Sequence, residues 1–292
     1  MRDTHEFRLV LTPFCHYHCF FCHNEGCVEE RTPLLLSPKD YCYITKIGRD
    51  LWGWRTVTMT GGEPLISPIY NETCERIANE GIDITTVTNG SLVSSPKKVL
   101  KYNNQVNISV HSMNPYVYQR ITGSSFPLSQ ILDTIVSIRV QLPDIRIHLN
   151  STVIRGLNDD VESMEKLIEF AQSVGGCAKF VDLASKDKSL VVPIREICDT
   201  LRSVGFVEED GNTWQTYFVR NGSRVIVTRC GFADEHKGNG LRNLFVNPDG
   251  VIICNDAVKL SINVLREVHS RDSHTFARKV ELLFPRAWGA LN

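Results

Sequence analysis

Six short runs of β-branched and apolar residues recur along the first two thirds of the chain, at Phe7 to Thr12, Thr56 to Thr60, Ile82 to Thr88, Val106 to Val110, Ile145 to Val153 and Ala178 to Leu183. Between them, Pro38 to Arg49, Ile69 to Asn79, Pro127 to Gln141 and Val161 to Ser173 space their apolar residues along one helical face, and several open on a Ser, Pro or Asp start signal. Strand alternating with helix points to an α/β fold with a parallel barrel or sheet, because parallel neighbours need a crossover that brings the chain back. In such barrels the chemistry sits in loops at the C-terminal strand ends. Here those loops hold the unusual residues: three cysteines, Gly61-Gly62-Glu63-Pro64, Thr88-Asn89-Gly90 and Arg155-Gly156-Leu157-Asn158.

After about residue 190 the texture changes. A helical stretch from Pro193 to Val204 is followed by short strand-like runs at Thr216 to Val219, Arg224 to Thr228, Leu244 to Val246 and Val251 to Cys254, separated by Asn-Gly and Pro-Asp-Gly turns. The tail from Arg271 to Leu283 reads as a helix. Two units are therefore expected, a barrel over residues 1–190 and a small hairpin-rich appendage over residues 191–292. A chain of 292 residues with 42% hydrophobic content can bury a core of that size.

The 32 basic and 33 acidic residues nearly cancel, with no long run of one sign, so nothing indicates a nucleic-acid or membrane surface. A small molecule is the expected partner. Met1 precedes charged residues rather than an apolar export core, and no stretch of about 20 apolar residues occurs, so the cytoplasm is the expected location. Ten cysteines are too sparse for a disulfide scaffold of this length, and three crowd into residues 15 to 22.

Cys15-x-x-x-Cys19-x-x-Cys22 supplies three thiolates in one loop, enough for three irons of a cubane cluster with the fourth iron open to another ligand. A zinc site helped by His16, His18 and His23 is the alternative, although structural zinc closes with four ligands, usually as two separated pairs. Context favours the cluster: the loop follows a strand at the head of an alternating chain, and Gly61-Gly62-Glu63-Pro64 comes later.

On these residues the chain resembles the radical S-adenosylmethionine (SAM) superfamily, and within it the GTP 3',8-cyclase family of molybdopterin synthesis. The resemblance is carried by Phe7 to Cys22, Met59 to Leu65, Val87 to Leu92, Val106 to Gly123, Leu149 to Asp160 and Lys179 to Leu183, in order. It implies a partial TIM-like barrel of six β/α units, with an appendage like a shortened auxiliary-cluster domain. It also implies a 4Fe-4S cluster on Cys15, Cys19 and Cys22, and SAM on its open iron, cleaved by one electron to a 5'-deoxyadenosyl radical. Gly61, Gly62 and Pro64 would face the SAM amino group, Glu63 would anchor their turn, and Phe21 would lie near the adenine. Thr88, Ser109 and Asn150 match SAM-contacting strand ends. Each of these also has an ordinary reading as a turn, an apolar contact or a strand-end hydrogen bond. An electron donor such as flavodoxin or ferredoxin is the implied partner.

The chain also departs from that family. Cys230 and Cys254 echo two of three cysteines that carry a second iron-sulfur cluster, but Ala233 stands near the missing one, and an empty appendage is the preferred reading over a filled one. Arg8 and Lys179 match basic substrate-holding positions, or are solvated charges. Ser67 and Pro68, His148, and Asn243 with Phe245 stand where further cations are expected, and the terminal Gly289-Ala290-Leu291-Asn292 lacks paired glycines. A triphosphate needs several cations to replace its hydration, so GTP is not the expected substrate.

The expected activity is hydrogen abstraction from a small polar molecule, nucleoside-, sugar- or amino-acid-derived, followed by cyclisation, carbon-carbon bond formation or rearrangement. Three rivals remain: a peptide-modifying maturase, which the start of the first strand almost at Met1 weighs against; a nucleotide dehydratase of the antiviral radical SAM type; and a zinc-stabilised binding protein.

Overall fold

The computed structural model describes residues 6–23, 32–212, 214–231, 244–254 and 261–284. Strands β1 (Phe7–Val10), β2 (Thr56–Thr60), β3 (Asp83–Thr88), β4 (Gln105–Ser109), β5 (Arg146–Thr152) and β6 (Cys177–Val181) lie side by side in chain order, every neighbour parallel. The crossovers carry α1 (Pro38–Trp52), α2 (Tyr70–Ala78), α3 (Pro96–Val99), α4 (Pro115–Thr122), α5 (Leu128–Gln141) and α6 (Val161–Ser173). This is the α/β partial barrel read from the alternation.

Successive strand residues point to opposite faces, and registered residues of parallel strands share one. Arg8 lies beside Thr58, Asn107 beside His148, and Asn150 between Ser109 and Lys179, so the inner face is polar. The intervening set, Leu9, Met59, Ile108, Leu149 and Phe180, is fully buried. Those residues pack with Ile44 of α1, Ile77 of α2, Ile131 of α5 and Leu167 of α6, forming the core between sheet and helices.

An open parallel barrel leaves two strand edges whose peptide groups need partners. The rest of the chain supplies them. Beyond α7 (Ile194–Ser203) come β7 (Val207–Glu209), β8 (Gln215–Arg220) and β9 (Ser223–Thr228), and β9 adds in parallel to β6. β10 (Leu244–Val246) adds in parallel to β1, followed by antiparallel β11 (Val251–Cys254) and β12 (Ser261–Asn263). The hairpins thus extend the barrel's own sheet, which has twelve strands among the described residues.

Three helices escaped the sequence reading: α3, α4 and the one that precedes the tail. α4 has only eight residues, and its start is set by Asn114, whose side chain accepts from Tyr116 N and Val117 N. The tail helix is α9 (Ser273–Glu281), and before it lies α8 (Leu265–Ser270), with Arg271 at φ 59° between them and Asp272 capping the second. The Arg271 guanidinium reaches Asp40 Oδ1 at 2.9 Å, tying this corner to the start of α1. Among the described residues no helix is long and apolar enough to cross a membrane.

Candidate active site

Leaving β1, the chain runs through Thr12 and Phe14 into the loop that bears Cys15, Cys19 and Cys22. Three neighbours hold this loop. Behind it, Gly62 N–H donates to Thr12 O and Glu63 N–H to Phe14 O, both at 2.8 Å. A Cβ on Gly61 would stand 2.4 Å from Thr12 O, and one on Gly62 would stand 2.3 Å from Phe14 O, so the approach of these two backbones demands glycine. The close contact the glycine pair allows is therefore between the turn and the cysteine loop. On a second side His18 N–H donates to Thr122 O at 2.9 Å and Phe20 N–H to Ile121 O at 3.3 Å, using carbonyls that the end of α4 leaves unpaired. On the third, His16 Nε2 lies 2.6 Å from Ser91 Oγ, in the turn after β3.

Glu63 joins two strand ends. Its Oε1 accepts from Leu65 N at 3.1 Å and from the Thr88 hydroxyl at 2.8 Å, and its Oε2 accepts from Asn89 N at 2.8 Å. The side chain is buried, and this burial pushes its carboxyl up to about 7 against the pull of its three donors. Pro64 then opens a single tight turn, Pro64–Ile66. Thr88 both donates to Glu63 and accepts from Gly90 N at 3.0 Å, so its hydroxyl is spent inside this tie.

A cavity of about 260 Å³ lies between the loop and the inner face of the sheet. Cys15, Cys19, Cys22, Phe21, Ser109, Asn150, Arg8 and Lys179 all line it, together with the Gly61 to Glu63 turn. Asn150 Oδ1 is buried without a hydrogen-bond partner, on a residue that lines this space. Phe21 stands edge-on to His111, ring centroids 5.0 Å apart. Burial pulls His111 down to about 4, and its Nδ1 accepts Thr152 N–H at 3.2 Å, so the neutral ring carries its proton on Nε2. Asn158 fixes that corner, donating to His111 O at 2.6 Å and Thr152 O at 2.9 Å while accepting from Ile154 N at 2.7 Å.

The charged lining includes Asp182 and Arg229 beside Arg8 and Lys179, and the Arg8 guanidinium lies 5.4 Å from the centre of the Phe245 ring. His148, on the same face as Asn150, is pulled down to about 3 by burial and then by Lys179, Arg146 and Arg224. It is a neutral group. Ser67 is buried and its hydroxyl has no partner. The two cysteines that echo a second cluster are placed differently from each other. Cys230 lines the cavity with Sγ 3.8 Å from His23 Nε2, whereas Cys254 is buried in the apolar core opposite Leu244. Ala233, Arg242, Asn243 and residues 289–292 lie outside the described residues.

The donor set suits a cubane, which takes one thiolate per iron from three cysteines and leaves one iron open. Among the described residues no three His, Cys, Asp or Glu side chains converge on a single ion. Burial raises the Cys15 thiol and pushes Cys19 up to about 12, so holding them as thiolates calls for a cationic centre between them.

A partial parallel barrel with a three-cysteine loop at its mouth, backed by a Gly-Gly-Glu-Pro turn, defines the radical SAM class of enzyme. Residues 9–171 match the Radical SAM superfamily, more than half of the chain, and the chain belongs to that superfamily. It is an enzyme whose family cofactors are a 4Fe-4S cluster and SAM. Among its relatives, the GTP 3',8-cyclase of Aquifex aeolicus is 30% identical over 275 residues, covering 81% of this chain and 84% of that protein. The probable GTP 3',8-cyclase of Pyrobaculum aerophilum is 30% identical over 70% of this chain and 67% of that one. The Thermococcus kodakarensis probable GTP 3',8-cyclase is 35% identical over 62% of this chain and 58% of that one. In fold, SuiB of Streptococcus suis bound to S-adenosylmethionine matches with a TM-score of 0.70 at 11% identity, over 97% of this chain and 67% of that one. Native anSMEcpe with bound AdoMet matches with a TM-score of 0.64 at 12% identity, over 96% and 83%.

Sequence reasoning did not single out His111, Asn158 or Asp182 as lining or supporting residues. His111 lies inside the Val106 to Gly123 match and Asn158 inside a loop already marked by Gly156, but their roles arise from contacts with β5, beyond local spacing.

Proposed function

We propose that this enzyme cleaves SAM reductively and turns the resulting radical on a small polar substrate, nucleoside-, sugar- or amino-acid-derived, whose radical then cyclises, forms a carbon-carbon bond or rearranges. The observation that carries the reading is the convergence of the three cysteines, the glycine turn and the polar inner face of the barrel on one cavity. When bound, the cluster and SAM supply a 5'-deoxyadenosyl radical. Cys15, Cys19 and Cys22 would hold the cluster, and Gly61 to Pro64, Phe21, Ser109 and Asn150 would hold SAM. The unpartnered Asn150 carbonyl suits an amino or hydroxyl donor of a ligand. Thr88 supports this site through the hydrogen bond its hydroxyl donates to Glu63. Arg8 and Lys179 position an anionic or strongly polar group of the substrate, while the Phe21 and His111 rings keep water from the wall between them. A protein of the flavodoxin or ferredoxin type serves as the one-electron donor.

The relatives are named for GTP, but the described lining supports a substrate other than GTP. Arg8, Lys179 and Arg229 share the described part of the cavity with the Asp182 carboxylate, and His148 is neutral. A triphosphate brings more charge than this set can replace hydration for. The test is anaerobic reconstitution with iron and sulfide, then dithionite and SAM. Formation of 5'-deoxyadenosine and methionine is expected, and Cys15→Ala, Cys19→Ala and Cys22→Ala should each abolish it. A fully loaded cluster that yields no 5'-deoxyadenosine would overturn the reading.

A further inference from the structure

Asn89 directs its side-chain nitrogen at Cys15 Sγ, 4.0 Å away, and the surrounding bonds leave the carboxamide no other orientation. Its Oδ1 lies 3.0 Å from Ser91 N, and a backbone N–H can only donate, so the atom facing Ser91 is the oxygen. The Ser91 hydroxyl, 2.6 Å from the same oxygen, must then spend its one proton there. Consequently His16 Nε2, 2.6 Å from Ser91 Oγ, is the donor in that contact and carries a proton. Main-chain Asn89 N is held separately by Glu63, which fixes the residue from its other end. Cys15 also receives Tyr17 N–H at 3.4 Å.

We infer that Asn89 is a positioning residue for electron entry: its amide N–H, oriented by Ser91 and His16, favours the reduced form of the cluster by donating to the sulfur of Cys15. The inference rests on the cluster assigned above. Adding one electron makes the cluster and its thiolates more negative, and hydrogen bonds to the sulfurs are among the factors that set cluster potentials. A donor N–H aimed at a sulfur stabilises the reduced form more than the oxidised one. Removing it makes reduction harder without removing any iron ligand.

The experiment is an EPR redox titration of the full chain, reconstituted and shown to contain about four irons, as wild type, Asn89→Ala, Asn89→Asp and Ser91→Ala. Asn89→Asp keeps the oxygen that accepts from Ser91, so the turn survives, but it faces the sulfur with an acceptor. At fixed potential the reduced-to-oxidised ratio should fall about tenfold in both Asn89 variants, which for one electron is about 59 mV. Ser91→Ala keeps its backbone donor and should shift the ratio in the same direction by less. An unchanged midpoint in a fully loaded Asn89→Ala sinks the inference, as does a Ser91→Ala shift as large as that of Asn89→Ala. Should Asn89→Ala not load, an unchanged midpoint in Asn89→Asp decides against it. Wild-type protein that takes up no cubane would instead refute the proposed function itself.

Discussion

The carboxylate of Glu63 accepts the main-chain N–H of Asn89 at 2.8 Å, and through this bond the turn that backs the cysteine loop is tied to the turn that flanks it. Both residues are buried. The tie makes the end of β2, the end of β3 and the cysteine loop one rigid unit.

Glu63 also sets a pH dependence. Its folded carboxyl is raised from 4.5 to about 7, so across that window the folded chain holds more proton at this site than the unfolded one, and its contribution to stability falls as pH rises. At about 1.4 kcal/mol per unit the full effect is about 3 kcal/mol. In Glu63→Gln this slope should vanish, while the amide left facing Asn89 N–H costs about 1–3 kcal/mol. Urea unfolding of the metal-free chain at about pH 5 and about pH 8 measures both. A variant with the wild-type pH difference would show that Glu63 is not its source.

Gly62→Ala places a methyl 2.3 Å from Phe14 O, while Gly53→Ala, at φ +71°, meets nothing within 4 Å. The first should cost about 3 kcal/mol or more and lower iron uptake, because the cysteine loop has to move. The second should cost only about 1–2 kcal/mol of backbone strain. Thermal unfolding and iron per chain distinguish them, and equal iron uptake in both would count against the packing argument.

Asn158→Ala removes one accepting and two donating bonds at a buried position. We expect a loss of about 2–4 kcal/mol from the groups left unpaired. SAM cleavage should slow with it, since His111 beside Phe21 loses its brace. A variant with wild-type stability would mean that water replaces the amide.

The placement of Cys254 in the apolar core and Cys230 at the cavity predicts a single cubane. Iron analysis of reconstituted protein should give about four irons per chain, unchanged in the Cys230→Ala, Cys254→Ala double variant. A count of about six to eight that falls in the double variant would establish a second cluster.

GTP binding tests whether this chain shares the activity its relatives are named for. Calorimetry on the reconstituted enzyme with SAM should show no saturable GTP binding tighter than about 1 mM, less than about 4 kcal/mol. Micromolar affinity abolished by Lys179→Met would place GTP in this cavity after all.

The alternation of strand and helix and the cysteine spacing were legible in the chain itself. All six barrel strands follow from runs such as Arg146–Thr152, where Ile147 and Leu149 turn to the helices and His148 and Asn150 turn inward. These are local patterns, and a strand's pleat converts them directly into faces. The tertiary structure alone decided what the small and polar residues of these turns do. Gly62 serves Phe14, Thr88 serves Glu63, and Asn89 serves Cys15 across 74 residues of chain. The same holds for the hairpins after residue 190, which read as a unit apart yet close the open edges at β1 and β6. Spacing along a chain specifies which face a residue occupies, whereas a hydrogen-bond partner is specified only when long loops have closed and brought distant backbone together.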